Sequence, residues 1–256
     1  MKVYGRMAGT LALFVILVTS CIRMGGSGAQ IKTFADGAAM ARAPKGAFIM
    51  GSSTGNADQR PEHNVVLTTF WIDQYEVTNE RYVACVSAGK CRENEKYEGL
   101  TDSDQPVVGV SWFDAADYCA FVGKRLPTEA EWEKAARGQD GREYPWGNSL
   151  DCRLANYREC RVGKTTPVGA YPAGASPYRL LDMAGNAAEW VNDWYDPNYY
   201  QRSPKDGPKG PETGKYRVIR GGMWLRYAYQ MRSADRAAQS PDTRNNTTGF
   251  RCAKDG

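Results

Sequence analysis

The sequence predicts one turn-rich domain in which short strands and three short helices are braced by aromatic side chains, rather than a helical bundle. Three observations carry this. Glycine supplies 27 of the 256 residues, the residue that lets a backbone turn sharply. Fifteen Tyr and seven Trp offer large buried area with a polar tip. Helical periodicity is confined to three stretches and is lost after Gly138. With 42% hydrophobic and 24% charged residues, a chain of this length buries a substantial core, which excludes wholesale disorder. The net charge of +4 is spread without a Lys/Arg block, so nucleic acid is not an expected partner.

The N-terminus reads as an address. Lys2 and Arg6 precede the apolar run Leu11 to Val18, which is far shorter than the ~20 residues that span a bilayer and suits the core of a signal peptide. The run ends Val18-Thr-Ser-Cys21, which resembles the lipobox of bacterial lipoproteins. That resemblance implies cleavage before Cys21, lipidation of Cys21 and anchoring in the envelope, in the outer membrane of a Gram-negative host because Ile22 follows the Cys. The alternative is an ordinary secretion signal cleaved slightly later. The expected organisation is a signal peptide over 1–20, a lipidated Cys and flexible tether over 21–42, and one domain over 43–256.

Within that domain Pro44–Gly51, Val65–Ile72 and Tyr216–Arg220 read as strands. Thr78 caps a helix over Asn79–Ser87, closed by Gly89. Ser111 opens a second over Trp112–Val122 with Asp114 imitating a capping box, and Gly123 stops it. Thr128-Glu-Ala-Glu131 is a full capping box for a third, ended by Gly138. Cys85, Cys91, Cys119, Cys152, Cys160 and Cys252 make an even set in an exported chain, so disulfides are expected. Cys85 with Cys91 and Cys152 with Cys160 are spaced to staple local loops, yet six cysteines allow 15 pairings.

Several segments in order match one family: Phe48-Ile-Met-Gly51, Tyr75-Glu-Val-Thr-Asn79, Pro106 to Trp112, Gly123-Lys-Arg-Leu-Pro-Thr-Glu-Ala-Glu-Trp-Glu133, Tyr144-Pro-Trp-Gly-Asn148, Asp182-Met-Ala-Gly-Asn-Ala-Ala-Glu-Trp190, Arg220-Gly-Gly222 and Gly249-Phe-Arg-Cys252. The chain resembles the formylglycine-generating enzyme, or sulfatase-modifying factor, domain from about Lys45 to its C-terminus. The resemblance implies an α+β, C-type-lectin-like fold with little regular secondary structure, and a Cys119–Cys252 bridge. It also implies calcium held by Asp182, the carbonyls of Gly185 and Ala187, and Glu189. A second, weaker set is Asn156, the Tyr157 carbonyl and Glu159, which stands in for an Asp that the family places further on. Oxygen donors suit that hard ion.

The family's oxidase chemistry uses copper held by two thiolates just after Arg-Gly-Gly, a soft-ligand match. Here Met223 to Arg236 contains no Cys, and none lies between Cys160 and Cys252. Copper is therefore not expected; Met223 and Met231 offer thioethers, which supply no anionic thiolate. The expected function is a lipid-anchored, calcium-stabilised binding or structural module of the cell envelope, a pseudoenzyme of this family, whose ligand or partner the sequence does not specify. Its ligand groove would be lined by Trp224, Arg226, Tyr227, Arg232 and Arg236. Alternatives are a non-thiol envelope enzyme, as in siderophore chromophore maturation, with Asp235 or Glu189 in play; an assembly lipoprotein like those of gliding machinery; and true formylglycine synthesis. His63 reads as structural, and Glu129 and Glu131 as capping residues favoured by the helix dipole.

Overall fold

The computed structural model describes residue 1 and residues 29–256. Cys21, and the signal segment beyond Met1, lie outside these residues. The helices begin where their caps put them. Thr78 accepts from the Arg81 N–H and opens α1 (Asn79–Ser87). Ser111 and Asp114 cap each other's backbone and open α2 (Trp112–Phe121), which stops one residue before expected, with Val122 as its cap. Thr128 and Glu131 do the same for α3 (Glu129–Arg137). Gly138 leaves α3 at φ 74°, and a Cβ there would lie 2.8 Å from the Pro177 ring.

Ten strands appear among the described residues: β1 (Ile31–Thr33), β2 (Ala39–Ala43), β3 (Gly46–Met50), β4 (His63–Leu67), β5 (Phe70–Asp73), β6 (Ala188–Trp194), β7 (Arg217–Arg220), β8 (Ala237–Gln239), β9 (Thr248–Phe250) and β10 (Ala253–Asp255). They form sheets ordered β1-β2-β5-β10, β3-β4 and β8-β7-β6-β9, with β6 and β9 parallel. The mixed α+β fold with little regular structure is the one the resemblance implies.

Two expectations change. The single strand over Val65–Ile72 is two strands in different sheets, because the buried positions slip phase, from Val65 and Leu67 to Phe70 and Ile72. A period-2 strand cannot keep both pairs on one face, so the chain breaks at Thr68-Thr69. The tether expected over 21–42 contains β1 and most of β2. Met40, Ala41 and Ala43 are fully buried against β5, and Lys124 clamps the intervening turn through Asp36 at 2.7 Å. Alanines carry little hydrophobic signal, but Asp36-Gly37 with Gly37 at φ 80° is a turn signal.

One core gathers Trp132 of α3, Phe48, Phe70, Ile72 and Val218; another gathers Tyr82, Tyr118, Trp190 and Phe250. All three bridges form, Cys85–Cys91, Cys119–Cys252 and Cys152–Cys160, the chemistry of an extracytoplasmic compartment.

Asp193 of β6 is buried and accepts the Glu129 N–H at 2.8 Å, tying β6 to the start of α3. Burial, then the Glu129 charge, pushes its carboxyl up to about 8 from an ordinary 3.8. Unfolded chains lose this proton near 3.8 and folded chains near 8, so folding takes up a proton in between. Stability from this group therefore falls as pH rises from about 4 to 8 and is level above. Asp193→Asn keeps an acceptor for Glu129 and should flatten that part of the slope. Urea midpoints of both proteins at pH 5 and pH 8 test it, and parallel slopes would refute it.

Candidate functional site

The segment 182–189 folds back on itself through left-handed backbone at Asp182, Gly185 and Asn186. Gly185 packs so closely that a Cβ would lie 2.2 Å from the Asn156 carbonyl, which also receives the Asn186 N–H at 2.8 Å. The two expected calcium sets are thus neighbours. Asp182 is buried and accepts the Gly169 N–H at 2.6 Å. Burial pushes its carboxyl up to about 6, against the pull of that N–H and of Arg251.

Glu76 faces the same cluster. It accepts from Ala187 N and from the Asn186 amide, both at 3.0 Å. Burial first, then the charges of Asp182 and Glu189, hold its carboxyl well above the ordinary range. Three buried carboxylates thus share one guanidinium, Arg251, and its fork is spent on Glu189 at 2.7 and 2.8 Å. Trp132 donates to the same carboxylate at 2.8 Å.

Tested against calcium, the first set fits in part. The turn and Asp182 are in place, with Glu76 as an added anion, but Glu189 is turned to Arg251 and Trp132. Among the described residues no three Asp, Glu, His or Cys side chains converge on one point. A calcium here would therefore depend on carbonyl and amide oxygens. The second set supplies such a donor: Asn156 is 1% exposed and its Oδ1 is buried without a hydrogen-bond partner, while its Nδ2 donates to Lys164 O at 2.8 Å. A buried acceptor without a donor is where a cation or water belongs. The Tyr157 carbonyl receives Cys160 N. Glu159, expected to replace the missing Asp, instead accepts Ala228 N with both oxygens at 3.2 Å. It braces the 224–230 loop rather than facing Asn156.

That loop walls a cavity of about 90 Å³ beside Gly221 and Gly222. Trp224 N donates to Asn186 O, linking the cavity wall to the acidic turn. Of the five residues expected to line the groove, Arg226 and Arg236 do so, together with Met223, Tyr229, Gln230 and Asp235. Arg236 is committed: it grips Glu129 with a fork at 2.7 and 2.8 Å and lies over the Tyr200 ring. Burial alone would push Glu129 up, but Arg236 and Arg220 bring it below its ordinary value.

The other three lie elsewhere. Trp224 donates to Asn246 O. Tyr227 stacks under Arg158 and beside Tyr229. Arg232 opens onto a separate polar cleft with Ser52, Thr54 and Glu143. The resemblance gave their neighbourhood but not their directions, because irregular backbone has no fixed period from which to read where a side chain faces.

Glu76 and Arg251 lie inside recognised segments, Tyr75–Asn79 and Gly249–Cys252. Sequence reading singled out neither; their place inside those segments was the signal available, and their burial is seen only in the structure. Gln59, which orients Asp235 at 2.8 Å, lies in a polar loop with no such signal.

A frame of short strands and capped helices, whose long loops are held by disulfides and buried ion pairs, defines a scaffold that carries loop-built sites. The chain belongs to the sulfatase-modifying-factor family: a family model described as "Sulfatase-modifying factor enzyme 1-like domain" matches residues 28–256. It is 36% identical to the formylglycine-generating enzyme of Streptomyces coelicolor over 84% of this chain and 88% of that one. It is 41% identical to a Chlamydia trachomatis protein named serine/threonine-protein kinase Pkn1 over 82% of this chain, but spans only 37% of that protein's length. Among solved structures, PvdO from Pseudomonas aeruginosa superposes with a TM-score of 0.77 at 27% identity, covering 90% of this chain and 99% of that one.

Proposed function

We propose that this family member is a calcium-stabilised binding module of the cell envelope and not a generator of formylglycine. The observation that carries the reading is the chemistry of the cavity wall. The positions after Arg220-Gly-Gly222 present Met223 and Arg226, and all six cysteines of residues 29–256 are in disulfides. Thioether and guanidinium cannot replace a pair of thiolates on copper.

Calcium is supported by the unpartnered Asn156 Oδ1 and by the anionic excess of Glu76, Asp182 and Glu189 over Arg251. Asp182 with the Gly185 and Ala187 carbonyls, and Asn156 nearby, are the residues that would hold it. The ion would neutralise buried charge and fix the turn behind the cavity. A lipid at Cys21 would supply the membrane anchor.

The test is to incubate the domain, with copper(I) and oxygen, with a peptide carrying the sulfatase-type Cys segment, and to trap aldehyde with a hydrazine reagent. No trapped product is expected. Aldehyde formed at a rate above that of peptide with copper alone would sink the reading. A non-thiol enzyme is the second reading, favoured by Asp235 in the cavity wall, where burial raises its carboxyl above the ordinary value.

A further inference from the structure

Resting on the reading of Cys21 as a lipid anchor, we propose that the solvent face of the β1-β2-β5-β10 sheet docks on a bilayer surface with anionic headgroups. The face follows from the two-residue period of the strands. Ala41, Ala43, Phe70, Ile72 and Ala253 turn into the core beside Trp132. Lys32, Phe34, Arg42, Trp71 and Lys254 therefore alternate onto the other side. Register sets Arg42 opposite Trp71, and Trp71 opposite Lys254. The contacts agree: Phe34 meets Trp71 edge-on at 5.4 Å, and the Lys32 ammonium lies 5.2 Å from the Phe34 ring centre.

Charge selects the partner. The carboxylates at this face, Asp36 and Asp73, are both taken by Lys124 at 2.7 and 2.8 Å, and Arg81 adds to Asp36. Neighbouring Asp255 is held by Arg125. Lys32, Arg42 and Lys254 have no carboxylate partner among the described residues, and Lys254 donates only to the Gly123 carbonyl. An unbalanced cluster of Lys and Arg thus surrounds a half-buried Trp and Phe. Headgroup layers accept this composition, with rings at headgroup depth and cations on lipid phosphates.

Position selects this face over the others. Among the described residues β1 is the strand nearest Cys21, and it forms the edge of this sheet. Gln30 O accepts Arg42 N at 2.9 Å, so the chain enters beside one of the unpaired cations. Eight residues lead from Cys21 to Ala29, a reach of at most about 27 Å. A lipid at Cys21 would hold the face within a few screening lengths of the headgroups, each about 8 Å at physiological salt. Tethering makes docking intramolecular, so the weak attraction of a few charges suffices. The cavity stays free on the far side. Gly221 packs on Trp132, where a Cβ would lie 3.1 Å from the ring, so the core separates the cavity from the docked face.

The test supplies the anchor chemically. The mature chain from Cys21 is coupled through that thiol to a maleimide lipid, the six other cysteines being in disulfides. Vesicles are phosphatidylcholine alone or mixed with phosphatidylglycerol. Brief amine acetylation, read by mass spectrometry, compares Lys32 and Lys254 with the exposed Lys164 and Lys215. Lys32 and Lys254 should be protected several-fold on the anionic vesicles alone, and high salt should abolish the protection. Arg42→Gln should lower the docked-to-free ratio about fivefold, the worth of one cation at such a surface, at unchanged melting temperature. Arg42→Lys should keep it, because the surface asks for charge rather than a fork. Equal protection on both vesicles, protection that survives salt or Arg42→Gln, or protection of Lys164 and Lys215 instead would each overturn the docking. The anchor reading fails separately, if the mass of Cys21 in the native protein shows no lipid.

Discussion

Arg251→Gln should destabilise the domain by about 3–5 kcal/mol, the usual cost of removing one partner of a buried ion pair, and the loss should be smaller in calcium than in chelator. Arg251 is unexposed and holds Glu189 with its fork, while its remaining donors go to the carbonyls of Asp73, Gln74 and Leu181. Removing the guanidinium leaves Glu76, Asp182 and Glu189 buried together without their shared cation. An ion that binds the native state alone recovers stability by mass action, and it gains most where the anionic excess is greatest. Glu189→Gln is the control. It also breaks the pair, but it lowers the excess negative charge, so its calcium-dependent recovery should be the smaller of the two. Thermal melts of both variants and the parent protein, in millimolar calcium and in chelator, check this. Equal losses of Arg251→Gln in the two conditions would remove calcium from the Asp182–Glu189 turn.

The parts of the fold readable from sequence are those set by local chemistry. Thr78, Ser111 and Thr128 specify helix starts because a hydroxyl three residues before an unpaired N–H satisfies it wherever the rest of the chain lies. The cysteine pairs at short spacing are local as well. What escaped reading depends on distant partners. Ala39–Ala43 becomes a strand because β5 lies beside it and Lys124 pins its turn, neither of which is written in an alanine-rich segment. Glu189 was legible as an acid in a recognised motif. Its partner Arg251 is 62 residues away, and nothing local says that the pair claims both carboxylate oxygens. The cavity shows the same division: the missing thiols were visible in the sequence, whereas the commitment of Arg236 to Glu129, 107 residues away, emerges only in the structure.

Loss of the Cys119–Cys252 bridge should be the most damaging of the three disulfide removals. Its partners are 133 residues apart, and in the loop-entropy picture opening so long a loop in the unfolded chain costs about 5 kcal/mol at most. Cys85–Cys91 and Cys152–Cys160 close loops of 6 and 8 residues, worth about 2–3 kcal/mol each on the same basis. The long bridge also joins α2 to the junction of β9 and β10, where the Cys252 carbonyl accepts the Asp73 N–H, the Cys252 N–H donates to the Asp73 carboxylate, and Arg251 reaches Glu189. Cys119→Ala/Cys252→Ala should therefore lower the urea midpoint more than either short-loop double variant does. It should also weaken calcium stabilisation, because Arg251 and the acidic turn lose a fixed neighbour. The short-loop pair Cys152→Ala/Cys160→Ala should instead loosen the 224–230 rim, through Arg158 and Glu159, with a modest loss of global stability. If the two short bridges matter as much as the long one, the unfolded chain already holds α2 near the C-terminal strands, and the bridge stabilises through native contacts rather than by restricting the unfolded ensemble.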